Sequence, residues 1–408
     1  MGEKLTAVEL FAGGGGLALG TEAAGFRHIA VAEWEPNCCR TLRYNQAGAY
    51  PFLNGARVIE GDVRDIDWDF VPNELDLLAG GPPCQPFSLG GLARAALDRR
   101  DMFPAFTKVL SRLRPRAFLV ENVKGLTRAS FADYYQYILL RLQHPSVEGR
   151  DGETWRQHFE RLQHEHTSGL HDESLRYEVS AHVVDAADYG VPQHRNRVFI
   201  VGFRSDVCAN WSFPKPTHSG AALVAAQQLS KYWNSRSVAV PTDALAIKPC
   251  GDVSLRPWRT LRDALKGLPT PTNRTAPLFP GHVYQAGAKP YPGHTGSILD
   301  APSKALKAGV HGVPGGENMI NYGDGSYRYL TAREAARVQG FPDCYQITGS
   351  WSEAMRQIGN AVPVELARVV AASIALALHE DDARKEIDAG VERELNELFN
   401  STTVLGAV

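Results

Sequence analysis

Cysteine is sparse and unpaired in this chain. Cys38, Cys39, Cys84, Cys208, Cys250 and Cys344 are the whole set, and no two of them form a C-x-x-C pair. That spacing excludes a disulfide framework and the usual structural zinc sites, and it fits a reducing compartment. Charge of one sign is also missing: 43 basic residues against 45 acidic ones leave a formal charge of -2. A nucleic-acid binder with this balance must gather its basic residues on one face. The longest apolar run near the end, "VVAASIALALH", falls short of a membrane span, and the N-terminus lacks the apolar stretch of a secretory signal. No G-x-x-x-x-G-K-[ST] pattern occurs, which argues against ATP hydrolysis. The expectation is a soluble, cytoplasmic protein of two or three domains.

The first two hundred residues alternate short apolar runs with helix-like stretches. "TAVELF" (6–11), "HIAVAE" (28–33), "RVIEGDV" (57–63), "LDLLAG" (75–80) and "RAFLVENV" (116–123) read as strands. "YEVSAHVVD" (177–185) and "RVFIVGFR" (197–204) follow as a terminal pair. This alternation implies an α/β fold, a doubly wound, Rossmann-like and mostly parallel sheet. Ligands on such sheets bind beyond the carboxyl ends of the strands. The polar stretch 144–176 holds five of the thirteen histidines. It lacks ligand spacing on a helix, so it reads as an exposed surface insertion and no metal is expected. From about 205 the chain turns rich in proline, glycine, serine and threonine, as expected of a smaller loop-rich domain. "LTAREAARVQGFP" (330–342) reads as a helix with Thr331 as N-cap and Glu334 completing a capping box. "VPVELARVVAASIALALHE" (362–380) reads as a long amphipathic helix that returns to the sheet.

The strand ends carry the chemistry. "LFAGGGGLALG" is a glycine-rich strand-to-helix turn that lets a cofactor approach the backbone near a helix N-terminus. The second strand ends in Glu33 and Trp34, an acid for ribose hydroxyls beside a flat face for adenine. The third ends near Asp62 and Val63, where the carboxylate suits an exocyclic amine. Three such ends in succession point to a nucleoside-containing cofactor. The fourth strand runs into "GGPPCQPFS" (80–88), which places the Cys84 thiol on a proline-stiffened turn. A cysteine that merely fills the core is the ordinary alternative. The fifth strand ends in "ENV", setting Glu121 on the same edge. A carboxyl beside a thiol suits a reaction in which the acid protonates a ring nitrogen while the thiolate attacks a nearby carbon.

"FAGGGG", "GGPPCQPFS", "ENV", "QHRNR" (193–197) and "GNAVP" (359–363) stand in the order seen in DNA (cytosine-5) methyltransferases. "LTAREAARVQGFPD" (330–343) also resembles that family's segment after its recognition domain. The resemblance implies the S-adenosylmethionine-dependent methyltransferase fold, with S-adenosylhomocysteine as product. It divides the chain into a catalytic domain, 1–203 plus 345–408, and a target-recognition domain, 204–344. Carried over, Phe11, Ala12, Gly13 and Gly15 would cradle the cofactor, with Glu33 on its ribose, Trp34 on adenine, and Asp62 and Val63 at the adenine edge. Pro82, Asn360, Ala361 and Val362 would complete that pocket. The family often has serine where Ala361 stands, a difference of one hydroxyl. Cys84 would be the nucleophile and Glu121 the acid on cytosine N3, with Arg195 and Arg197 orienting the base and bracing Glu121. Ser88, Arg94, Arg99 and Arg100 would lie on a loop that closes over a flipped nucleotide and meets phosphates.

The partner implied is double-stranded DNA, with a cognate restriction endonuclease acting separately in a prokaryotic host. A monomer is the default, and no membrane is expected. Three other readings compete. A transfer-RNA methyltransferase would have a smaller recognition domain. A catalytically silent relative would not need Cys84, Glu121 and the arginine pair. An NAD-dependent dehydrogenase would leave "PPCQPF" and "QHRNR" without a role.

Overall fold

The computed structural model describes residues 4–48, 52–83, 101–168, 175–207, 210–241, 248–308 and 318–404, with side chains only as far as 393. Seven strands form the main sheet: β1 Thr6–Leu10, β2 Arg27–Glu33, β3 Arg57–Glu60, β4 Leu77–Gly80, β5 Ala117–Val123, β6 Tyr177–Asp185 and β7 Asn196–Arg204. Their order is β3-β2-β1-β4-β5-β7-β6, and β7 alone runs antiparallel to its neighbours. The strand-to-helix alternation read from the sequence is therefore the architecture, and strand limits shift by three residues at most.

The strands are apolar on both sides because both sides are covered. On one face Val8, Leu78, Phe118, Val120 and Ile200 pack with α3 (Phe103–Leu113) and α4 (Ala132–Gln143). On the other face Ala7, Leu77, Leu119, Phe199 and Val201 pack against α11 (Val364–Val404). Successive residues go to opposite faces, the two-residue period of a strand. Helix α1 (Gly16–Ala23) lies so close to α11 that a Cβ on Gly20 would sit 2.8 Å from the Arg368 nitrogen. Arg116, at the foot of β5, reaches Asp76 (2.9 Å), Asp381 (3.0 Å) and Asp382 (2.6 Å), which fixes α11 along the sheet. By length and apolar content the helical stretch around 351–393 would suffice to cross a membrane, contrary to the expectation from the sequence. Its apolar side is used internally instead, with Leu366, Val370, Ile374 and Leu378 fully buried.

The stretch 144–176 is not the solvated excursion expected from its polarity. Helix α5 (Trp155–Ser168) packs on α4, and His158 and Leu162 are buried. Trp155, Phe159 and Leu162 recur at helical spacing and give α5 an apolar face that the histidines obscure. His158 bonds the Tyr137 hydroxyl (3.0 Å) and the Val147 carbonyl (2.9 Å), as a satisfied core histidine does.

Between β7 and the return to the sheet, the elements are short. Strands β8 (His218–Ser219) and β9 (Arg256–Pro257) pair, and β10 (Ser297–Ile298), β11 (Met319–Asn321) and β12 (Tyr327–Tyr329) form a small sheet. Helices α6 (Gly220–Gln227), α7 (Ser230–Asn234) and α8 (Leu261–Leu265) lie among them. Helix α9 (Ala332–Val338) opens on the capping box read from the sequence, Thr331 with Glu334. Helix α10 (Trp351–Asn360) then leads to α11. One apolar cluster joins Leu19 and Leu42, on α1 and α2 (Pro36–Gln46), to Leu261, Ile320, Ala335, Phe341, Tyr345 and Ile358. It runs without a break across the boundary expected at residue 344.

Below the glycine turn lies a buried charge cluster. His28 is 3.6 Å from Glu9 and 3.7 Å from Glu22, and its ring also meets the Thr21 hydroxyl at 3.2 Å. Burial opposes a charge on His28, but Glu22 and Glu9 outweigh it and hold the ring up at about 9. A folded-state value above the ordinary 6.5 stabilises the fold fully below pH 6.5 and is lost as pH rises through about 9. We expect the urea midpoint to decline across that window and the His28→Gln variant to lose this part of the slope. A wild-type midpoint that stays flat from pH 6.5 to 9 contradicts the cluster's charge state.

Candidate active site

Parallel register brings the ends of β1 to β5 to one edge. Leu10 pairs with Ala32 and Gly80, Glu33 with Glu60, and Gly80 with Val120. Antiparallel β7 contributes its beginning to that same edge, with Arg197 opposite Val123. Residues from five strand ends and one strand start are thereby collected along a single line.

Directly after β1 the backbone turns sharply. Phe11 (φ 57°), Gly13 (φ 54°) and Gly15 (φ 85°) all adopt left-handed conformations. For Phe11 this costs about 1–2 kcal/mol, the kind of local strain that accumulates at functional sites. A side chain at Gly13 would meet nothing within 4 Å, so the turn faces open space there. At Gly15 an added Cβ would lie 2.5 Å from the Tyr345 hydroxyl, which itself donates to the Gly14 carbonyl at 2.9 Å. Tyr345 is fully buried between Phe52 and Phe341. Ala12 is buried, and its N–H reaches the Ala32 carbonyl at 3.2 Å.

The Glu33 carboxylate accepts three backbone N–H groups, from Gly13 (2.7 Å), Trp34 (2.9 Å) and Glu35 (2.8 Å). Burial nevertheless pushes its pKa up, because desolvation outweighs those bonds. Trp34 beside it is 72% exposed, an open aromatic face next to a fixed acid. Asp62 stands at the neighbouring strand end, but Arg64 already holds both of its oxygens, at 2.9 and 2.5 Å, and lowers its pKa. Oδ2 keeps a further lone pair, so the carboxylate can accept from an amine beside Arg64. Val63 is buried in the core beneath. Open space above Gly13, the exposed indole and the fixed carboxylate together form a donor set and cradle that fit a purine nucleoside.

Further along the edge, Glu121 is buried at the end of β5 and pairs with Arg197, whose Nε lies 2.6 Å from Oε1. Its Oε2 faces Gly81, where a Cβ would stand 3.6 Å away. Asn122 donates to the Pro82 carbonyl at 3.0 Å, tying the two strand ends together one peptide before the Pro83–Cys84 bond. Cys84, Ser88, Arg94, Arg99 and Arg100 themselves lie outside the described residues.

Arg195 does not brace Glu121 in the way expected. It is 2% exposed, and its guanidinium donates to the carbonyls of Leu306 (2.9 Å), Gly359 (2.6 Å) and Ala361 (3.2 Å). Arg195 stands just before β7 and Arg197 within it, and their guanidiniums take different partners, carbonyls for Arg195 and Glu121 for Arg197. Arg195 is thus a strut between "QHRNR", the recognition segment and "GNAVP". Ala361 and Val362 are buried, and the Val362 carbonyl closes on Gly16, whereas Asn360 is exposed at the end of α10.

Four residues with defined contacts were not singled out in the sequence, although each sits in or beside a quoted stretch. Asn122 and Tyr345 are described above. Gln193 donates to Gln339 (2.9 Å) and accepts from the Leu306 N–H (2.8 Å). His194 meets Asp185 at 2.8 Å and stands edge-on to Trp258. Burial pushes Asp185 up, but His194 and two backbone N–H groups outweigh it and hold Asp185 low.

Comparison with known proteins decides the family. The profile of the C-5 cytosine-specific DNA methylases matches residues 5–144, 164–267 and 270–376. The chain belongs to this family. The methylase is 30% identical to the Type II methyltransferase M.NgoPII of Neisseria gonorrhoeae over 91% of its own length and 95% of that relative. With M.PspPI of Psychrobacter it shares 32% identity over 91% of its length and 79% of the relative. Among solved structures, the S. pombe Dnmt2 methyltransferase aligns at 19% identity over 92% of this chain and 99% of that one, TM-score 0.55. A putative DNA modification methyltransferase from an E. coli prophage aligns equally well at 19% identity and TM-score 0.55. The methylase is thus a DNA (cytosine-5) methyltransferase, of a family that takes its methyl group from S-adenosylmethionine.

The strut generates a test that separates the two arginines. Arg195→Met takes this donor from the Leu306 and Gly359 carbonyls, while Ala361 keeps the Gln339 amide at 3.2 Å, and should cost about 2–4 kcal/mol of unfolding free energy. Arg197→Met, at the partly open end, should cost less in stability and far more in methyl transfer. Urea denaturation of both variants beside their turnover rates checks this.

Proposed function

We propose that this enzyme methylates C5 of a flipped-out cytosine within one short sequence of double-stranded DNA, through a covalent bond between Cys84 and C6. The observation that carries the proposal is the Glu121–Arg197 pair, 2.6 Å long, set beside Gly81 at the root of the turn that bears Cys84. Acid and thiol then belong to adjacent strand ends, joined by the Asn122–Pro82 bond.

C5 of cytosine is a weak nucleophile. Addition of the Cys84 thiolate to C6 forms a C–S bond and pushes an electron pair toward C5. A proton from Glu121 to N3 lowers the cost of that addition, an assistance usually worth about 10²–10⁴-fold. S-adenosylmethionine supplies the methyl group as part of a sulfonium. C5 gains the methyl and loses its proton to water, the thiolate departs, and N3 returns its proton to Glu121. Arg197 holds Glu121 at one oxygen so that the other faces the base. Since a stacked base exposes neither face to a thiol, the cytosine must leave the duplex, at a cost of a few kcal/mol.

For the cofactor, Phe11, Ala12, Gly13 and Gly15 would line the approach, Glu33 would meet the ribose, and Trp34 would cover the adenine. Asp62, Val63 and Pro82 would bound the rest, with Asn360, Ala361 and Val362 closing the far side. Residues 1–203 with 345–408 would form the catalytic domain and 204–344 the recognition domain. The relatives' description as Type II methyltransferases supports a restriction-modification setting. In it an endonuclease would act separately, and the enzyme would work as a monomer in a bacterial cytoplasm.

Bisulfite sequencing of DNA from a methylation-free bacterial host tests this reading. Expression of the wild type should protect cytosines in one short context, and Cys84→Ala should protect none. In vitro, Glu121→Gln should slow transfer by about 10²–10⁴-fold. Protection that survives Cys84→Ala would overturn the covalent route.

A further inference from the structure

Two observations converge on a residue outside the strand-end edge. The first is where the chain re-enters the described structure after Cys84. Met102 donates its N–H to the Pro83 carbonyl at 3.2 Å, so the chain comes back to the residue that immediately precedes the proposed nucleophile. One residue earlier, Asp101 acts as a double acceptor. Its Oδ1 takes the N–H of Phe103 at 3.2 Å, which starts α3, and its Oδ2 takes the hydroxyl of Tyr134.

The second observation is what holds Tyr134. Its ring is buried, edge-on to Trp155 at 5.1 Å and tilted on Tyr137 at 5.6 Å. Trp155 and Phe159 come from α5, and the family profile has no match for residues 145–163. The polar-looking insertion thus places an aromatic wall behind the one hydroxyl that fixes Asp101. Nearby, Tyr137 supplies an internal comparison: its hydroxyl bonds His158 on α5 and does not touch Asp101.

We infer that Tyr134 is a positioning residue for methyl transfer, and that α5 serves to hold it. Through Asp101 it fixes the start of α3 and the Met102–Pro83 bond, and with them Pro83, the residue that precedes Cys84 in the chain. The inference rests on Cys84 being the nucleophile. Released from Tyr134, Asp101 loses the hydroxyl that holds its Oδ2, and the Pro83 carbonyl follows Met102. Misplacement by a fraction of an ångström at a reacting atom costs turnover steeply without altering cofactor binding.

The test uses the full chain with tritiated S-adenosylmethionine and plasmid DNA from a methylation-free host. Tyr134→Phe should lower kcat about tenfold while KM for S-adenosylmethionine stays within about twofold. Tyr137→Phe, which removes a hydroxyl from the same aromatic cluster, should leave kcat near wild type. Asp101→Ala should resemble Tyr134→Phe, and the double variant should be no slower than either alone. Thermal melts of every variant accompany the kinetics. A Tyr134→Phe enzyme with wild-type kcat overturns the inference. So does an equal loss in Tyr134→Phe and Tyr137→Phe that tracks their melting temperatures. Cys84→Ala, assayed alongside, separates the two claims: turnover by that variant removes the covalent mechanism and the inference with it, whereas an inactive Cys84→Ala beside either of the two outcomes above removes the inference alone.

Discussion

One buried guanidinium holds the molecule closed. The chain leaves the sheet after Arg204, builds short elements up to Asn360, and must return so that α11, from Val364, can cover the sheet. Arg195 joins both sides of that excursion by donating to Leu306 within it and to Gly359 and Ala361 at its end. A buried cation without a carboxylate partner is expensive, and three carbonyl dipoles offset that cost only if all three stay in place. The arrangement therefore ties the position of "GNAVP" to the folding of the segment around Leu306. Gln193 and Gln339 repeat the connection beside it with neutral amides.

The same tie explains why the cofactor turn is rigid where it must be. Tyr345 arrives from the returning chain and fixes the Gly14 carbonyl, while Val362 closes against Gly16. The left-handed backbone at Phe11, Gly13 and Gly15 is held from outside by residues more than three hundred positions away. On its open side the turn is supported only by the Gly13 N–H bond to Glu33. A surface braced behind and open in front is what a dissociating cofactor requires.

Much of this was legible in the sequence, and the reasons are local. The strands announced themselves because a doubly covered sheet demands continuous apolar runs, and each was bounded by glycine, proline or an acid. Glu33, Glu121 and the glycine turn were legible because strand ends are predictable once strands are. What failed depended on tertiary context. Arg195 and Arg197 read alike in "QHRNR", and only the folded chain gives one the carbonyls of Leu306, Gly359 and Ala361 and the other the Glu121 carboxylate. Helix α5 was hidden by its histidines, although Trp155, Phe159 and Leu162 carried its apolar period. Helix α6 was missed inside a loop-rich segment despite Ser219, which caps it by accepting the Ala222 N–H.

The close approach of Gly20 to α11 bears on the order in which the molecule forms. Helix α1 follows the central strand and is made first, yet the surface it packs against belongs to the last tenth of the chain. During synthesis the apolar side of the sheet and the base of the cofactor turn stay uncovered until residue 378 has left the ribosome. Contacts this distant in sequence make folding slow and leave sticky surface exposed for long periods. A nascent chain therefore keeps this face of its sheet bare until α11 docks on it.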